Sequence, residues 1–242
     1  MQTLLKLSKP NHNITLQRTF PSPMASVFLS SIPLLFLLSI PIITADPDSL
    51  QDFCVADTKS SAIFINGFPC LSPSQTSSQH FTTSALNTLA NTSGNPFGVG
   101  AIATTTTILP GINTLGIQMV RANVDVGGQV PPHTHPRATE MVYILEGYIL
   151  AGFVDSSNNL FSQKIKAGDV FVFPKGTLHF LHNIGKTPAN WITAFNSQNP
   201  GVAVTPMVTF AANPPIPPKV LSKAFQVSFE EVGKIRKSLG GS

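Results

Sequence analysis

Residues 127–147 of the chain read GGQVPPHTHPRATEMVYILEG and place His133, His135 and Glu140 between turn-forming glycines at the two ends. Side chains alternate across a strand, so His133 and His135 point to the same face. The residues after His135 form a corner that begins with proline, and Glu140 then begins a second strand. This stretch therefore predicts three potential metal ligands at the junction of two short strands.

A second segment, residues 168–183, reads GDVFVFPKGTLHFLHN and supplies a fourth potential ligand, His179. Its glycines and Pro174 suit tight corners between short strands, where a positive or fixed φ is needed. Together the two segments predict that the four ligands lie inside a small barrel. His182 follows His179 by three residues and falls on the other strand face. We interpret it, like His80, as a structural or surface histidine.

The donor set predicts the kind of metal. Three neutral imidazoles and one carboxylate leave two positions open on a six-coordinate ion, which suits Mn²⁺ or Fe²⁺ better than tetrahedral Zn²⁺. Such a site carries a local charge of about +1 and attracts a small anion. An isolated H-x-H pair in a strand is often a chance pair. The second segment repeats the pattern of glycines, proline and histidine about thirty residues downstream. This repetition favours metal binding over a chance pair.

The apolar run VFLSSIPLLFLLSIPII at residues 27–43 is typical of a secretory signal. Ala45 suits cleavage before Asp46, and Met24 starts a signal of ordinary length, which makes residues 1–23 an upstream extension. The alternative is a retained transmembrane helix. Two prolines within the run and the lack of basic residues after it oppose that alternative. We therefore predict a secreted protein with no membrane anchor after cleavage.

The chain contains two cysteines, Cys54 and Cys70, both soon after the predicted cleavage site. In an oxidising compartment they are expected to form a disulfide. Closing that loop would stabilise the folded state by about 3 kcal/mol in the chain-entropy description. Two free thiols are the alternative.

The chain after the leader divides into parts by its pattern. Residues 46–100 lack periodicity and are rich in small polar residues, so we predict an irregular N-terminal arm stapled by the disulfide. Asn91 lies in this arm as the acceptor of a glycosylation sequon. Residues 101–212 are predicted to form an all-β antiparallel sandwich or closed barrel. The predicted strands are 117–124, 141–145, 148–154, 170–173, 191–195 and 202–210.

Residues 213–242 are predicted to be helical, with helices at 219–225 and 228–239. Ser228 and Glu231 form a capping box at the start of the second helix. The apolar face of that helix has to pack against another surface. That surface is either a neighbouring subunit or the chain's own barrel.

The formal net charge of +4 comes mostly from the leader. Residues 1–45 hold three basic residues and no acidic one, which leaves 12 basic and 11 acidic residues and a net charge of +1. The sequence has no basic run with interleaved aromatic residues and no phosphate-binding glycine loop. These patterns predict no nucleic-acid partner.

The two histidine-containing segments resemble the two motifs of the cupin superfamily, and the chain as a whole resembles plant germins and germin-like proteins. The resemblance covers the chain after residue 45 and includes the runs DFCVAD (52–57), NGFPC (66–70), FNSQNPG (195–201) and PPKVL (217–221). It implies a single cupin β-jelly-roll barrel, secretion to the apoplast or cell wall, and a homohexamer built as a trimer of dimers. It also implies Mn²⁺ bound by His133, His135, Glu140 and His179.

Three functions are compatible with such a site: superoxide dismutation, as in several germin-like proteins; oxalate oxidation, as in true germins; and a non-enzymatic binding, structural or defence role in the wall. Oxalate-oxidising germins, which this chain resembles, carry asparagines three and thirteen residues before the first histidine ligand. Val130 and Val120 stand at those positions here. Valine cannot hydrogen-bond a carboxylate, which removes contacts worth about 0.5–1.5 kcal/mol each. We therefore predict superoxide dismutase activity without oxalate oxidase activity.

Overall fold

The computed structural model describes residues 51–62 and 64–241. The predicted leader, with Met24, the apolar run and the cleavage site before Asp46, lies outside the described residues. Among the described residues, no helix has the length and apolarity needed to cross a bilayer.

The strands within the described residues are β1 (Val99–Ala103), β2 (Gln118–Val124), β3 (Gln129–Thr134), β4 (Glu140–Glu146), β5 (Tyr148–Val154), β6 (Leu160–Lys166), β7 (Val170–Phe173), β8 (Leu178–Asn183), β9 (Ala189–Phe195) and β10 (Ala203–Val204). They form two antiparallel sheets of five strands each. The first sheet has the strand order β1-β2-β9-β4-β7, and the second has the order β10-β3-β8-β5-β6. The predicted all-β architecture of antiparallel strands is confirmed.

Strand β4 shows how the sequence pattern builds the core between the sheets. Val142 and Ile144 are fully buried, whereas Met141 and Tyr143 on the opposite face are exposed. This alternation is the period-two pattern of a strand with one buried face. Apolar side chains from both sheets meet in one cluster. Its buried members are Ala122, Val124, Val142, Ile144, Ile149, Ala151, Ile165, Phe173, Leu181, Ala189 and Trp191.

Two tight corners depend on glycine at the predicted positions. Gly147 joins β4 to β5 with φ at 91°, and a Cβ there would lie 2.5 Å from the Cβ of Ala189. Gly168, just before β7, has φ at 89°. Glycine reaches such left-handed values without a steric penalty. These corners set the directions in which β5 and β7 leave their neighbours.

A disulfide and a buried asparagine tie down the start of the N-terminal arm. Cys54 and Cys70 form the predicted disulfide, with an S–S distance of 2.03 Å. The fully buried Asn113 donates its side-chain amide to the carbonyl of Phe68 at 2.8 Å and accepts from the N–H of Phe68 at 3.1 Å. The described residues of the arm before β1 are otherwise irregular. Their short 3-10 turns are Pro73–Gln75, Ser78–Phe81 and Ala85–Asn87.

Residues 202–210 do not form one strand, so the strand predicted there is wrong. Strand β10 covers only Ala203–Val204, and helix α1 (Thr205–Phe210) follows it directly. The β-branched residues of this segment favour a pleated surface. Pro206 favours a helix start instead, because it lies in the first turn of α1, where a missing N–H is tolerated. In a strand interior the same proline would remove a ladder hydrogen bond.

Two further helices follow, α2 (Pro218–Phe225) and α3 (Phe229–Ser238), at the predicted places. The predicted capping box is present at the start of α3. The carboxylate of Glu231 accepts from the N–H of Ser228 at 2.7 Å, and the hydroxyl of Ser228 accepts from the N–H of Glu231 at 3.2 Å. This pair satisfies two backbone donors that the first turn leaves free.

The apolar face of α3 packs within its own chain. Val232 is buried together with Phe210 of α1 and Leu221 of α2, and Ile235 packs against this cluster. The helices α1 and α2 thus cover the apolar face of α3. The sequence alone did not decide whether this face packs on its own chain or on another subunit. Phe229, at the start of α3, is 62% exposed, so α3 also presents an apolar side chain outward.

Candidate metal centre

The four predicted ligand residues meet between the two sheets. His133 on β3 faces His179 on β8 across the strand ladder of the second sheet. Glu140 is the first residue of β4 in the first sheet, and His135 follows the end of β3. The ligand atoms of all four lie within 4.8 Å of one another, and each residue is no more than 8% exposed. A potential metal site of three histidines and one glutamate is therefore present.

The Nδ1 atom of each of these histidines contacts a backbone carbonyl. The contacts are His133 Nδ1 to Pro131 O at 2.9 Å, His179 Nδ1 to Thr177 O at 2.8 Å, and His135 Nδ1 to Gly201 O. A carbonyl oxygen only accepts, so each Nδ1 carries a proton and donates it. In the neutral ring, Nε2 then keeps a free electron pair that is available to a metal.

Glu140 lies beside two of these ring nitrogens. Its Oε2 is 3.0 Å from Nε2 of His135 and 3.1 Å from Nε2 of His179. The buried hydroxyl of Thr193 donates to its Oε1 at 3.3 Å. The ring nitrogens and the carboxylate all hold electron pairs, so positive charge, either ring protons or a metal ion, has to lie between them. The residues present therefore fit a divalent cation with nitrogen and oxygen ligands.

The electrostatics of the metal-free site favour the protonation states that a metal requires at two of the ligands, His133 and Glu140. Burial, together with the nearby His179, lowers the pKa of His133 from 6.5 to about 4. Burial alone would raise the pKa of Glu140, but without a metal the ring protons of His135 and His179 hydrogen-bond to its carboxylate, outweigh the effect of burial and lower that pKa from 4.5 to about 2. At neutral pH His133 is therefore neutral and Glu140 is ionised, as metal ligands must be.

Two phenylalanines fix the planes of two ligand imidazoles. Phe173 is 1% exposed and stacks on His179, with ring centroids 4.5 Å apart. Phe195 lies edge-on to His135, with ring centroids 4.7 Å apart. Both phenylalanines pair in register with Glu140, one from β7 and one from β9. The strand pairing that positions the carboxylate thus also positions the rings that orient the imidazoles.

A cavity of ≈ 900 Å³ adjoins the metal centre. His133, His135 and Glu140 line it, so a small molecule in the cavity reaches the ligand atoms. Val120 of β2 and Val130 of β3, the two predicted pocket residues, also line it.

The other residues singled out by sequence have separate environments. Asn91 is exposed in the arm, and its side-chain oxygen accepts from the hydroxyl of Ser93 at 2.8 Å. His182 lies on the other face of β8, and its Nδ1 contacts the carbonyl of Gly128 at 3.1 Å. His80 takes part in the capping of a 3-10 turn. His182 and His80 are thus structural histidines, as predicted.

Two contributors to the centre were missed by sequence reasoning. Thr193 reaches the glutamate only because β9 pairs with β4, and Gly201 reaches His135 only because the loop before β10 passes over it. Neither relationship leaves a signature in the sequence. By contrast, Pro131 and Thr177 each precede a ligand histidine by two residues, and that repeated spacing could have been found.

Comparison with known proteins agrees with this architecture. A sequence model described as Cupin matches residues 84–233. The chain is 48% identical to Germin-like protein 5-1 of Oryza sativa subsp. japonica over 209 residues, which cover 86% of this chain and 93% of that protein. It is 43% identical to Oxalate oxidase 2 of Hordeum vulgare over 194 residues, which cover 79% and 86% of the two chains.

The structural comparison gives the same result. The solved structure of oxalate oxidase in complex with the substrate analogue glycolate matches with a TM-score of 0.77 at 42% identity. The match covers 82% of this chain and 100% of that one. The two antiparallel sheets described above are therefore a cupin barrel, and the chain belongs to the germin-like proteins of the cupin family.

Proposed function

We propose that this chain is a secreted manganese-binding protein that dismutates superoxide and does not oxidise oxalate. One observation carries the proposal: three buried imidazoles, each with Nδ1 committed to a backbone carbonyl, surround one ionised carboxylate. Such a set of electron-pair donors favours the binding of a cation.

The donor set supports manganese as that cation. Three imidazoles and one carboxylate suit an ion that accepts six ligands, because two positions remain for a small molecule. A bound manganese ion would supply one-electron redox chemistry at those positions. With Glu140 as the one anionic ligand, the centre carries a local charge of about +1, which attracts an anion such as superoxide.

The protein's own residues hold the ligands in place and disfavour protonation of His133. Backbone carbonyls fix the tautomer of each histidine, and Thr193 fixes one oxygen of Glu140. Burial keeps the pKa of His133 near 4, so protons do not compete for this ligand at neutral pH. These contacts prepare the site before any ion arrives.

Oxalate is the second substrate to weigh, because one relative is an oxalate oxidase at 43% identity. Val120 and Val130 present methyl groups to the cavity at the positions where oxalate-oxidising germins carry asparagines. The described residues that line the cavity include no lysine or arginine. A small dianion would therefore find no cationic side chain there besides the metal, whereas superoxide requires only access and positive charge. This contrast supports superoxide over oxalate.

Several features support secretion and glycosylation. The Cys54–Cys70 disulfide is typical of a protein exported to an oxidising compartment. The apolar run at residues 27–43 supplies the signal, and the exposed Asn91 supplies an accessible sequon. Enzymatic removal of N-glycans should lower the mass of the secreted protein. An unchanged mass, or an equal loss from Asn91→Gln, would contradict glycosylation at this residue.

An apolar strip on the outer face of the first sheet supports a homo-oligomer, which we propose is a hexamer built as a trimer of dimers. Met141, Tyr143 and Leu145 of β4 lie beside Val170 and Val172 of the edge strand β7. Each is at least 41% exposed. Contiguous apolar surface of this kind is typical of a protein–protein interface.

Paired assays on the purified, manganese-loaded secreted protein test the proposed activity. Superoxide should disappear at a rate proportional to protein concentration, and oxalate should yield no peroxide above the rate of a metal-free control. Substantial peroxide formation from oxalate would show that Val120 and Val130 do not prevent oxalate oxidation. Inactivity in both assays at full manganese occupancy would favour a non-enzymatic binding or structural role.

A further inference from the structure

The cavity beside the metal centre is far larger than superoxide requires. Its volume is ≈ 900 Å³, which is near the upper end of the roughly 300–1,000 Å³ typical of pockets that enclose drug-sized ligands. Superoxide has two atoms. The space therefore accommodates a much larger molecule whose head reaches the metal ligands.

The walls of the cavity are apolar and are built largely from small side chains. Ala101 and Ala103 of β1 line it together with Val120 and Ala122 of β2. Leu239, just beyond α3, lines it as well. Alternate residues of a strand share a face, which explains why the i, i+2 pairs of β1 and β2 both contribute. A hydrocarbon body placed here would lose contact with water and gain contact with apolar groups.

Several polar side chains near the centre already have partners. Gln118 donates its amide to the carbonyl of Gln198 at 3.1 Å, and Thr193 donates its hydroxyl to Glu140. Arg137, close to His135 in sequence, donates to the carbonyl and side chain of Asn199. A second charge on a ligand would therefore find no free cation among the described residues that line the cavity, and its burial would be costly.

We infer that the metal centre binds a monocarboxylate with an apolar body. The single carboxylate lies on the metal, whose site has a local charge of about +1, and the hydrocarbon lies along the cavity. This inference rests on the proposed metal binding and names the ligand class of that site. It differs from the proposed activity, because it concerns what the cavity holds rather than what the metal does to superoxide.

Calorimetric titration of the manganese-loaded protein with butanoate, hexanoate and octanoate tests the inference. Each added methylene should tighten Kd by roughly threefold to fourfold, because each buries one more apolar group. Hexanedioate, which has the length of hexanoate and a second charge, should bind at least tenfold more weakly. An affinity that does not change along the series, or hexanedioate binding as tightly as hexanoate, would overturn the inference.

The chain has one tryptophan, Trp191, and it lines the cavity. Its fluorescence therefore reports whether the bound acid lies there. Octanoate should change the Trp191 emission with the Kd found by calorimetry, and removal of manganese should weaken that Kd at least tenfold. Calorimetric binding with no change in emission, or equal binding without the metal, would place the acid elsewhere and contradict the inference.

A cavity-filling variant gives a second, independent test. Ala101→Phe should weaken octanoate at least tenfold while acetate affinity and manganese content stay unchanged, because only the space beyond the metal is filled. Ala167→Phe, at an exposed turn residue, is the matched control and should bind octanoate as the wild type does. Ala103→Phe replaces the first variant if that one fails to fold. Unchanged octanoate affinity in a folded cavity variant would overturn the inference.

Superoxide assays on the same samples separate this inference from the proposed activity. If the protein dismutates superoxide but its affinity for the acids does not vary with their chain length, the ligand inference alone is overturned. Length-dependent binding without dismutation would overturn the proposed activity alone. A wild type that retains no manganese would overturn both.

Discussion

Oε2 of Glu140 lies 3.0 Å from Nε2 of His135, within the reach of an ion that both atoms ligate. The carbonyl of Gly201 holds a proton of His135 on Nδ1, so in the neutral ring the electron pair on Nε2 faces the carboxylate. Two electron-pair donors at this separation repel unless positive charge lies between them. The backbone carbonyls that fix the histidine tautomers therefore favour cation binding, in addition to the ligand side chains themselves.

Removing one imidazole should abolish manganese retention. His135→Ala leaves two histidines and one carboxylate, which is too weak a set to keep the ion through purification. Elemental analysis should give less than about a tenth of the wild-type manganese content. His182→Ala is the matched control, since His182 faces away from the centre on β8. Stoichiometric manganese in His135→Ala would show that the ligand assignment is wrong.

Thr193 should tune metal affinity through Glu140. Thr193→Val keeps the shape of the side chain but removes the hydroxyl that donates to Oε1, so the manganese Kd should weaken by about 10–100-fold. Competition against a chelator of known affinity measures this change. Thr193→Ser restores the hydroxyl and should recover most of the affinity. Equal manganese Kd values for wild type, Thr193→Val and Thr193→Ser would show that Thr193 does not affect metal binding.

The metal-free protein should lose stability as pH falls. The folded pKa of His133 is about 4 and its ordinary value is 6.5, so between these values the unfolded chain binds a proton that the folded chain excludes. The free energy of unfolding should therefore fall by about 3 kcal/mol from pH 6.5 to 4. Glu140, with a folded pKa of about 2, adds a further loss below pH 4.5.

Denaturant titrations of chelator-treated protein at several pH values measure this dependence. His133→Gln should show a shallower fall between pH 6.5 and 4 than the wild type. A wild-type stability that stays constant across that interval would contradict the assigned state of His133. The metal-loaded protein should release manganese over the same acid range, because protons compete for the ligands.

A charge in the apolar strip of the first sheet should reduce the size of the oligomer. Tyr143→Asp places a carboxylate on the outer face of β4, where Tyr143 is 47% exposed and contributes nothing to the core between the sheets. Light scattering should show a smaller species with an unchanged thermal midpoint of the barrel. Gln163→Asp, on the exposed outer strand β6, is the control. An unchanged large species in Tyr143→Asp would exclude this strip as an interface.

Restoring two amides should open the pocket to oxalate. Val120→Asn combined with Val130→Asn supplies hydrogen-bond donors to a small carboxylate beside the metal, each worth about 0.5–1.5 kcal/mol. Oxalate binding to the manganese-loaded double variant should tighten about tenfold relative to wild type, as measured by calorimetry. Each single variant serves as a control. No gain in the double variant would show that these two positions do not select the substrate.

The sequence predicted most of the centre because its ligands lie in two short segments whose spacing reflects local strand geometry. His133, His135, Glu140 and His179 were all found in this way. The glycine corners were found for the same reason, since a positive φ is a local requirement. The contribution of Thr193 was not found, because it depends on β9 lying beside β4, and that pairing joins residues far apart in the chain.

Elements outside the motifs were predicted less well. Strand β1 carries glycine and alanine residues that have low strand propensity, and it forms because β2 supplies a partner along its full length. Strand β6 exposes nearly all its side chains, so no buried face marks it in the sequence. At residues 202–210 the β-branched side chains favour a strand, but Pro206 lies in the first turn of a helix.

The proposed activity is tested most directly by the superoxide dismutation rate of the purified secreted protein, measured while manganese is titrated into the metal-free chain. We expect the rate to rise in proportion to bound manganese and to reach a plateau at one ion per chain, with His135→Ala inactive at every point. A rate that stays at the background of free manganese at full occupancy, or one that does not depend on bound manganese, would contradict it.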